Sequence, residues 1–266
     1  MRPSTPGADV RKHFSSSILL WMRSDKPRQA GMDYWRGPHS GIISATPGLH
    51  EYRQLHLAET NPGRWPSIEG VETRIPLDRK ADGLAEVTFL SPRSLFRGRE
   101  QTQLAFEDEV NVFRRTLLYI GPPGTSRWYG VAGPGDVVGA RALVYLRRRS
   151  DVSGRRFRKA VNEALAPALT DAAGLTELRT QTFLPWTRRT WNTPDVAHDN
   201  PPADRYHASV VLGFPDAAGR AAFFESAAIR RLSPIIADVA SAVHAYDVSE
   251  ALTYVKDGKT LERELT

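Results

Sequence analysis

The strongest constraint on this chain is a motif that occurs twice. Residues 48–55 read GLHEYRQL and residues 174–181 read GLTELRTQ, a shared Gly-Leu-x-Glu-x-Arg framework 126 positions apart. Each copy follows a stretch of helical spacing and precedes a proline-rich loop, so the recurrence predicts one supersecondary scaffold built twice. In order, the first half reads as a strand at 16–23, a helix at 33–46, a strand at 48–58, a surface loop at 59–82, a strand at 85–90, helical spacing over 92–113 and a strand at 116–120. A glycine- and proline-rich linker covers 121–136. The second half reads as a strand at 139–148, a helix at 153–172, the repeated strand, a loop at 185–204, a strand at 206–214, a helix over 215–242 broken at Pro234, and a closing strand at 243–247. Each half has the order β-α-β-β-α-β. The fold class that follows is α+β: two tandem ferredoxin-like repeats pairing into an intramolecular α+β barrel. Its expected parts are a flexible tail (1–13), an N-terminal repeat (14–128) and a C-terminal repeat (129–266).

Composition narrows the function by exclusion. The 266 residues are ample for a sizeable core, and 41% hydrophobic with 25% charged residues is ordinary for a globular chain. Without cysteine there are no disulfides, thiolate nucleophiles or thiolate metal sites. No apolar run is long enough to span a membrane, and residues 1–14 lack the apolar core of a secretory signal, so the expected location is cytoplasmic. The net charge of +6 and the arginines at 147, 148, 149, 155, 156 and 158 invite a nucleic-acid reading. That reading needs aromatic stacking platforms and an RNP-type motif on the sheet, which the sequence lacks. The linker fits no phosphate-loop pattern, and no G-x-S-x-G elbow occurs.

The stretch 32–57, MDYWRGPHSGIISATPGLHEYRQLHL, concentrates the candidate chemistry. Trp35, His39 and Ile43 are four apart and share one helical face. Pro38 lacks an N–H, so the regular helix either starts near Gly37-Pro38 or has a kinked first turn. From Leu49 the period becomes two, with Leu49, Leu55 and Leu57 on one face and His50, Tyr52, Gln54 and His56 on the other. If the leucines lie beneath the helices, the polar set lines the barrel interior, opposite Thr176, Leu178, Thr180 and Thr182 of the second copy. His39 is the catalytic candidate, because imidazole titrates near neutrality; the competing reading is a histidine tying a helix start to its neighbour. Trp35, His50, Tyr52, Gln54 and His56 are the substrate-binding candidates. No metal site is expected: His50 and His56, six residues apart on a strand, are separated by about 20 Å, and the H-x-x-x-H and H-E-x-x-H patterns are missing. In the repeat register Trp35 falls on Val161 and His39 on Leu165, so only one half carries polar chemistry.

The run Tyr34-Trp35-Arg36-Gly37-Pro38-His39, then Pro47-Gly48-Leu49, then Tyr52-Arg53-Gln54, resembles the EthD-like family over residues 14–120. That resemblance implies the dimeric α+β barrel superfamily, whose members pair ferredoxin-like sheets into a barrel around a pocket. Some members bind heme through a histidine, which makes His207 and His244 the lone-ligand positions to inspect. The expected function is a cofactor-independent small-molecule enzyme of cyclase, isomerase, lyase or monooxygenase type. It would act on an aromatic, quinone or polyketide-like substrate by histidine-assisted proton transfer in the barrel pocket. The alternative is a non-catalytic EthD-like protein that binds a small molecule or stabilises a partner, which a filled barrel interior would favour. The expected partner is a small molecule, with neither nucleic acid nor membrane; a homodimer through outer sheet edges or helices is compatible with such a barrel.

Overall fold

The computed structural model describes residues 9–262. Its strands are β1 (Val10–Met22), β2 (Leu49–Leu57), β3 (Gly83–Phe89), β4 (Phe113–Ile120), β5 (Ser126–Tyr129), β6 (Ala140–Arg148), β7 (Glu177–Thr182), β8 (Ala208–Phe214), β9 (Ala240–Lys256) and β10 (Lys259–Thr260). The helices are α1 (Arg28–Tyr34), α2 (Ser40–Ser44), α3 (Arg99–Val112), α4 (Gly154–Ala160), α5 (Ala166–Thr170), α6 (Ala217–Glu225) and α7 (Ala227–Val239). Eight strands close into an antiparallel barrel in the order β9-β2-β3-β1-β5-β7-β8-β6, with β6 returning to β9. Strand β4 is off this closed hydrogen-bonded path and pairs with β1, sending Leu117 and Tyr119 into the interior cluster. Within the first half the pairing order is β4-β1-β3-β2, and within the second it is β9-β6-β8-β7.

Closure depends on two segments that differ from the sequence reading. Strand β5 falls in what reads as linker and bridges β1 to β7. Strand β9 continues nine residues beyond 247, and this continuation pairs with β2. Strand β1 likewise starts at Val10, so part of the expected tail is strand, while residues 1–8 lie outside the described chain. The break in the last helix falls at Ser226, whose hydroxyl caps α7, and Pro234 sits inside the continuous α7.

Three apolar layers result. The barrel interior is filled: Leu19, Trp21, Leu55, Leu57, Tyr119 and Tyr145 belong to one buried cluster drawn from the strands of both halves. At one end it gives way to ions. Arg53 donates to Glu177 at 2.6 Å while Arg179 pairs with Glu51, so the two copies of the Glu-x-Arg motif clasp each other reciprocally. The other two layers lie outside the barrel, where the helices of each half pack on their own sheet.

The alternation of β2 is as expected, but its faces are reversed. Leu55 and Leu57 point into the barrel, and Tyr52, Gln54 and His56 point at the helices. A β-bulge between Leu49 and Glu51 removes Leu49 from the leucine face and puts it in the helical layer. The residues expected to line an interior pocket therefore face the helices instead. Its proposed far wall is displaced as well: Leu178 joins the second helical layer, and the interior side of β7 carries Arg179 and Gln181.

Candidate active site

The helix over the first sheet begins at Arg28, ten residues before Pro38, and passes Pro38 through a π-helical turn, Trp35–His39. A proline ring clashes with the carbonyl four residues back in a regular α-helix, and a wider turn relieves that clash. Three carbonyls of the turn receive side-chain donors. Gln54 Nε2 donates to Trp35 O at 2.8 Å, the Tyr254 hydroxyl to Arg36 O at 2.8 Å, and the Ser40 hydroxyl to Gly37 O at 2.7 Å. Beneath the turn the Trp35 ring presses against the sheet at Gly83, where a Cβ would come within 2.3 Å of it. Only glycine permits that approach.

Between this helix, α3 and the sheet is a cavity of about 280 Å³. Its walls are mostly apolar: Ile18 and Leu20 of β1, Val87 and Phe89 of β3, Leu118 and Ile120 of β4, with Trp35, Tyr52 and Phe113. His39 lines it, 4% exposed. The His39 Nδ1 is 2.8 Å from Asp108 Oδ2 on α3, and its ring meets Phe113 edge-on. Asp108 also accepts from the Tyr34 hydroxyl at 2.8 Å and from Asn111 at 3.1 Å. The His39 hydrogen bond, with those from Asn111 and Tyr34, holds the Asp108 carboxyl down at about 2. A carboxylate on Nδ1 fixes the imidazole tautomer and leaves Nε2 as the ring nitrogen for chemistry.

The neighbouring carboxyl has the opposite environment. Glu109, 3% exposed, also lines the cavity. It accepts from Trp191 Nε1 at 2.9 Å and from the Thr193 hydroxyl at 2.5 Å, yet burial pushes its carboxyl up to about 7. Trp191 and Thr190, from the long loop of the second half, complete the wall, with Trp191 stacked on Phe106. Neither Asp108 nor Glu109 was among the sequence candidates. The available signal was Glu109 four residues from both Ala105 and Phe113, a carboxylate on the buried stripe of α3.

The other candidates scatter. Trp35 and Tyr52 reach the cavity. Gln54 backs it: its amide nitrogen donates to Trp35 O and Tyr52 Oη, and its carbonyl oxygen lies 2.9 Å from His56 Nε2. His56 stacks on Trp35 behind the cavity wall. His50 sits elsewhere, stacked with His13 and Trp128. As lone-ligand positions, His207 receives the Arg148 N–H on Nδ1, and His244 has both ring nitrogens engaged, with Tyr206 and Glu72. Burial lowers both imidazoles to about 4. Among the described residues no group of three or more metal-ligating side chains gathers. No described helix is long and apolar enough to cross a membrane.

The closed eight-stranded antiparallel barrel with helices outside is a mixed α+β fold. Solved structures of similar fold superpose over nearly the whole chain. A protein described as anthrone oxidase-like matches with TM-score 0.56 and 11% identity, covering 92% of this chain and 96% of its own. A provisionally assigned monooxygenase from Lactobacillus acidophilus matches with TM-score 0.53 and 8% identity, covering 95% and 100%. Another from Fusobacterium nucleatum gives 0.53 and 6%, covering 92% and 98%. At such identities the likeness is one of fold. The sequence itself matches no family model and no curated protein.

Proposed function

We propose that the protein is a cofactor-independent small-molecule enzyme of oxidase or monooxygenase, cyclase, isomerase or lyase type. Its substrate would be an aromatic, quinone or polyketide-like molecule bound between the helices and sheet of the first half. The observation that carries this reading is His39 held by Asp108 at the wall of an apolar cavity. His39 Nε2 takes a proton from a phenolic O–H or an enolisable C–H, and Asp108, which stays anionic, steadies the imidazolium that forms. Glu109, in an environment that shifts it the other way, can hold a proton at neutral pH for return to the product; adjacent carboxyls pushed apart in this manner mark acid and base roles. The apolar walls exclude water from the transfer. The names borne by the fold neighbours agree with this class.

A second reading is a non-catalytic binder of the same fold, favoured by the filled barrel interior and by the internal hydrogen bonds of Gln54. Ligand-induced thermal shift with phenol and quinone libraries finds the ligand under either reading. Turnover that collapses in His39→Ala supports the enzyme, whereas saturable binding without turnover supports the binder. We read the halves, with their matching strand order, as tandem ferredoxin-like repeats (14–128 and 129–266) of an EthD-like protein of the cytoplasm.

A further inference from the structure

Four tyrosines, Tyr119, Tyr145, Tyr206 and Tyr246, occupy the barrel interior, where leucine or valine would fill space without a hydroxyl to satisfy. Their rings form a continuous set: Tyr119 to Tyr145 6.1 Å, Tyr145 to Tyr206 4.7 Å, Tyr145 to Tyr246 6.4 Å between centroids. Two of the hydroxyls are tied to backbone or amide groups, Tyr246 donating to Arg79 O at 2.9 Å and Tyr119 accepting from Asn200 at 3.0 Å. Tyr206 differs. Its hydroxyl is 2.5 Å from His244 Nδ1, and His244 Nε2 is 3.0 Å from Glu72 Oε1. His244 is fully buried, whereas the Glu72 side chain is 38% exposed. The three groups form a proton wire from the interior to the surface, and a neutral imidazole relays a proton by accepting at one nitrogen and releasing at the other. The other Glu72 oxygen receives Arg147 Nη2 at 2.7 Å, which keeps the carboxylate oriented.

The electron side of the path reaches the cavity. Leu118 and Ile120 line the cavity, and Tyr119 between them faces the opposite side of β4, into the barrel. One strand thickness therefore separates the substrate space from the tyrosine cluster.

We infer that Tyr206 is a redox-active tyrosine, oxidised by one electron through the aromatic cluster while its proton passes to His244 and on to Glu72. The oxidant is of the oxygen-centred radical class, arriving in the cavity. It gains one electron and takes a proton from solvent once it leaves the cavity; Tyr206 loses one electron and its hydroxyl proton to Nδ1, the Nε2 proton moves to the Glu72 carboxylate, and a neutral tyrosyl radical remains. The relay matters because an interior of low polarity does not hold the cation that oxidation without proton loss would leave. The cluster thus moves the oxidising equivalent from the substrate cavity into the barrel interior, while the proton is delivered to the surface side at Glu72. This inference stands independently of the role of His39.

The test uses full-length protein and photogenerated tris(bipyridine)ruthenium(III) as the one-electron oxidant, with freeze-trapped electron paramagnetic resonance as readout. The wild type should give a tyrosyl signal that is lost in Tyr206→Phe. Glu72→Gln, at a half-exposed site, should keep the fold and shorten the radical lifetime. Thermal melts check that each variant is folded; if Tyr206→Phe is not, the Glu72→Gln lifetime decides. No radical in the wild type, an undiminished signal in folded Tyr206→Phe, or an unchanged lifetime in Glu72→Gln overturns the assignment.

Discussion

The helix over the first sheet and its counterpart over the second share a backbone and differ in content. Both make a π-helical turn at the same repeat position, Trp35–His39 and Val161–Leu165. Both then reach a glycine in the left-handed region, Gly48 at φ 83° and Gly174 at φ 90°. Their later helices α3 and α7 each run straight into a strand, at Phe113 and Ala240. Counting back from those junctions, Asp108 and Glu109 fall on Ile235 and Ile236. In the second half Val161, Leu165 and Ile236 belong to a solid apolar core; in the first, His39 and Glu109 border a cavity. π-turns are common at functional sites, yet here one sits in pure core. The turn is scaffold, and the side chains hung on it decide which half borders a polar-edged cavity and which is solid core.

That contrast breaks most sharply at His39. Replacing it with Ala, or with the Leu of the second half, should lower kcat by about 10²–10⁴ while the protein stays folded, because the imidazole faces space already present. A variant that turns substrate over like the wild type would reduce the first half to a hollow copy of the second. The next largest effect is on stability. Leu169, 1% exposed in the solid layer, is the counterpart of Ile43 on the cavity. Leu169→Ala should cost about 2–5 kcal/mol in denaturant titration, and Ile43→Ala about 1 kcal/mol, since only the former opens a new void. Equal costs would mean that the two layers pack alike.

Much of the fold was legible in the sequence. Period-two alternation located the main strands, and the Gly-Leu-x-Glu-x-Arg repeat located the strands whose ions clasp inside the barrel. Alternation separates two faces but cannot say which is inside when both are covered, so Tyr52, Gln54 and His56 were assigned to the wrong side. The bulge at Leu49 compounded this, shifting one residue out of phase. Strand β5 is four residues in a glycine- and proline-rich run, and the end of β9, SEALTYVK, has no strand-like alternation to announce it. At the site, Trp35 and His39 were legible because they break the apolar pattern that the second copy keeps. Asp108 and Glu109 were not, since a carboxylate pair on a helix normally reads as its solvated face, and the same helix leaves an apolar residue, Leu104, 49% exposed.

The two carboxyls sharpen the comparison through pH. Unfolded, Glu109 titrates near 4.5, and folded near 7. Between these values the unfolded chain gives up its proton first, so stability falls as pH rises. The loss is complete above pH 7 and on the order of 3 kcal/mol at most. Asp108, depressed from 3.8 to about 2, contributes stability present above its unfolded value and lost as pH falls towards 2. Glu109→Gln should therefore flatten the decline in Tm between pH 4.5 and 7 and leave the acid limb unchanged. Parallel wild-type and variant profiles would show that the buried carboxyl carries no such penalty.

The smallest expected effect tests whether the cavity truly reaches the sheet. Val87 of β3 lines it, paired with Tyr52 across the ladder. The matching pair in the second half is Leu178 with Leu212, and Leu212 is fully buried in the solid layer. Val87→Ala removes two methyl groups, worth about 1.5 kcal/mol if fully buried. They border empty space, so no void term is added, and the expected cost is about 1 kcal/mol. The vacated volume joins the cavity, so ligands carrying one more alkyl group than the best wild-type ligand should gain affinity while smaller ones lose it. Isothermal titration across such a homologous series reads both directions at once. A destabilisation as large as that of a core Leu→Ala change, with no shift in ligand size preference, would mean that Val87 is packed like its second-half counterpart and that substrate does not touch β3.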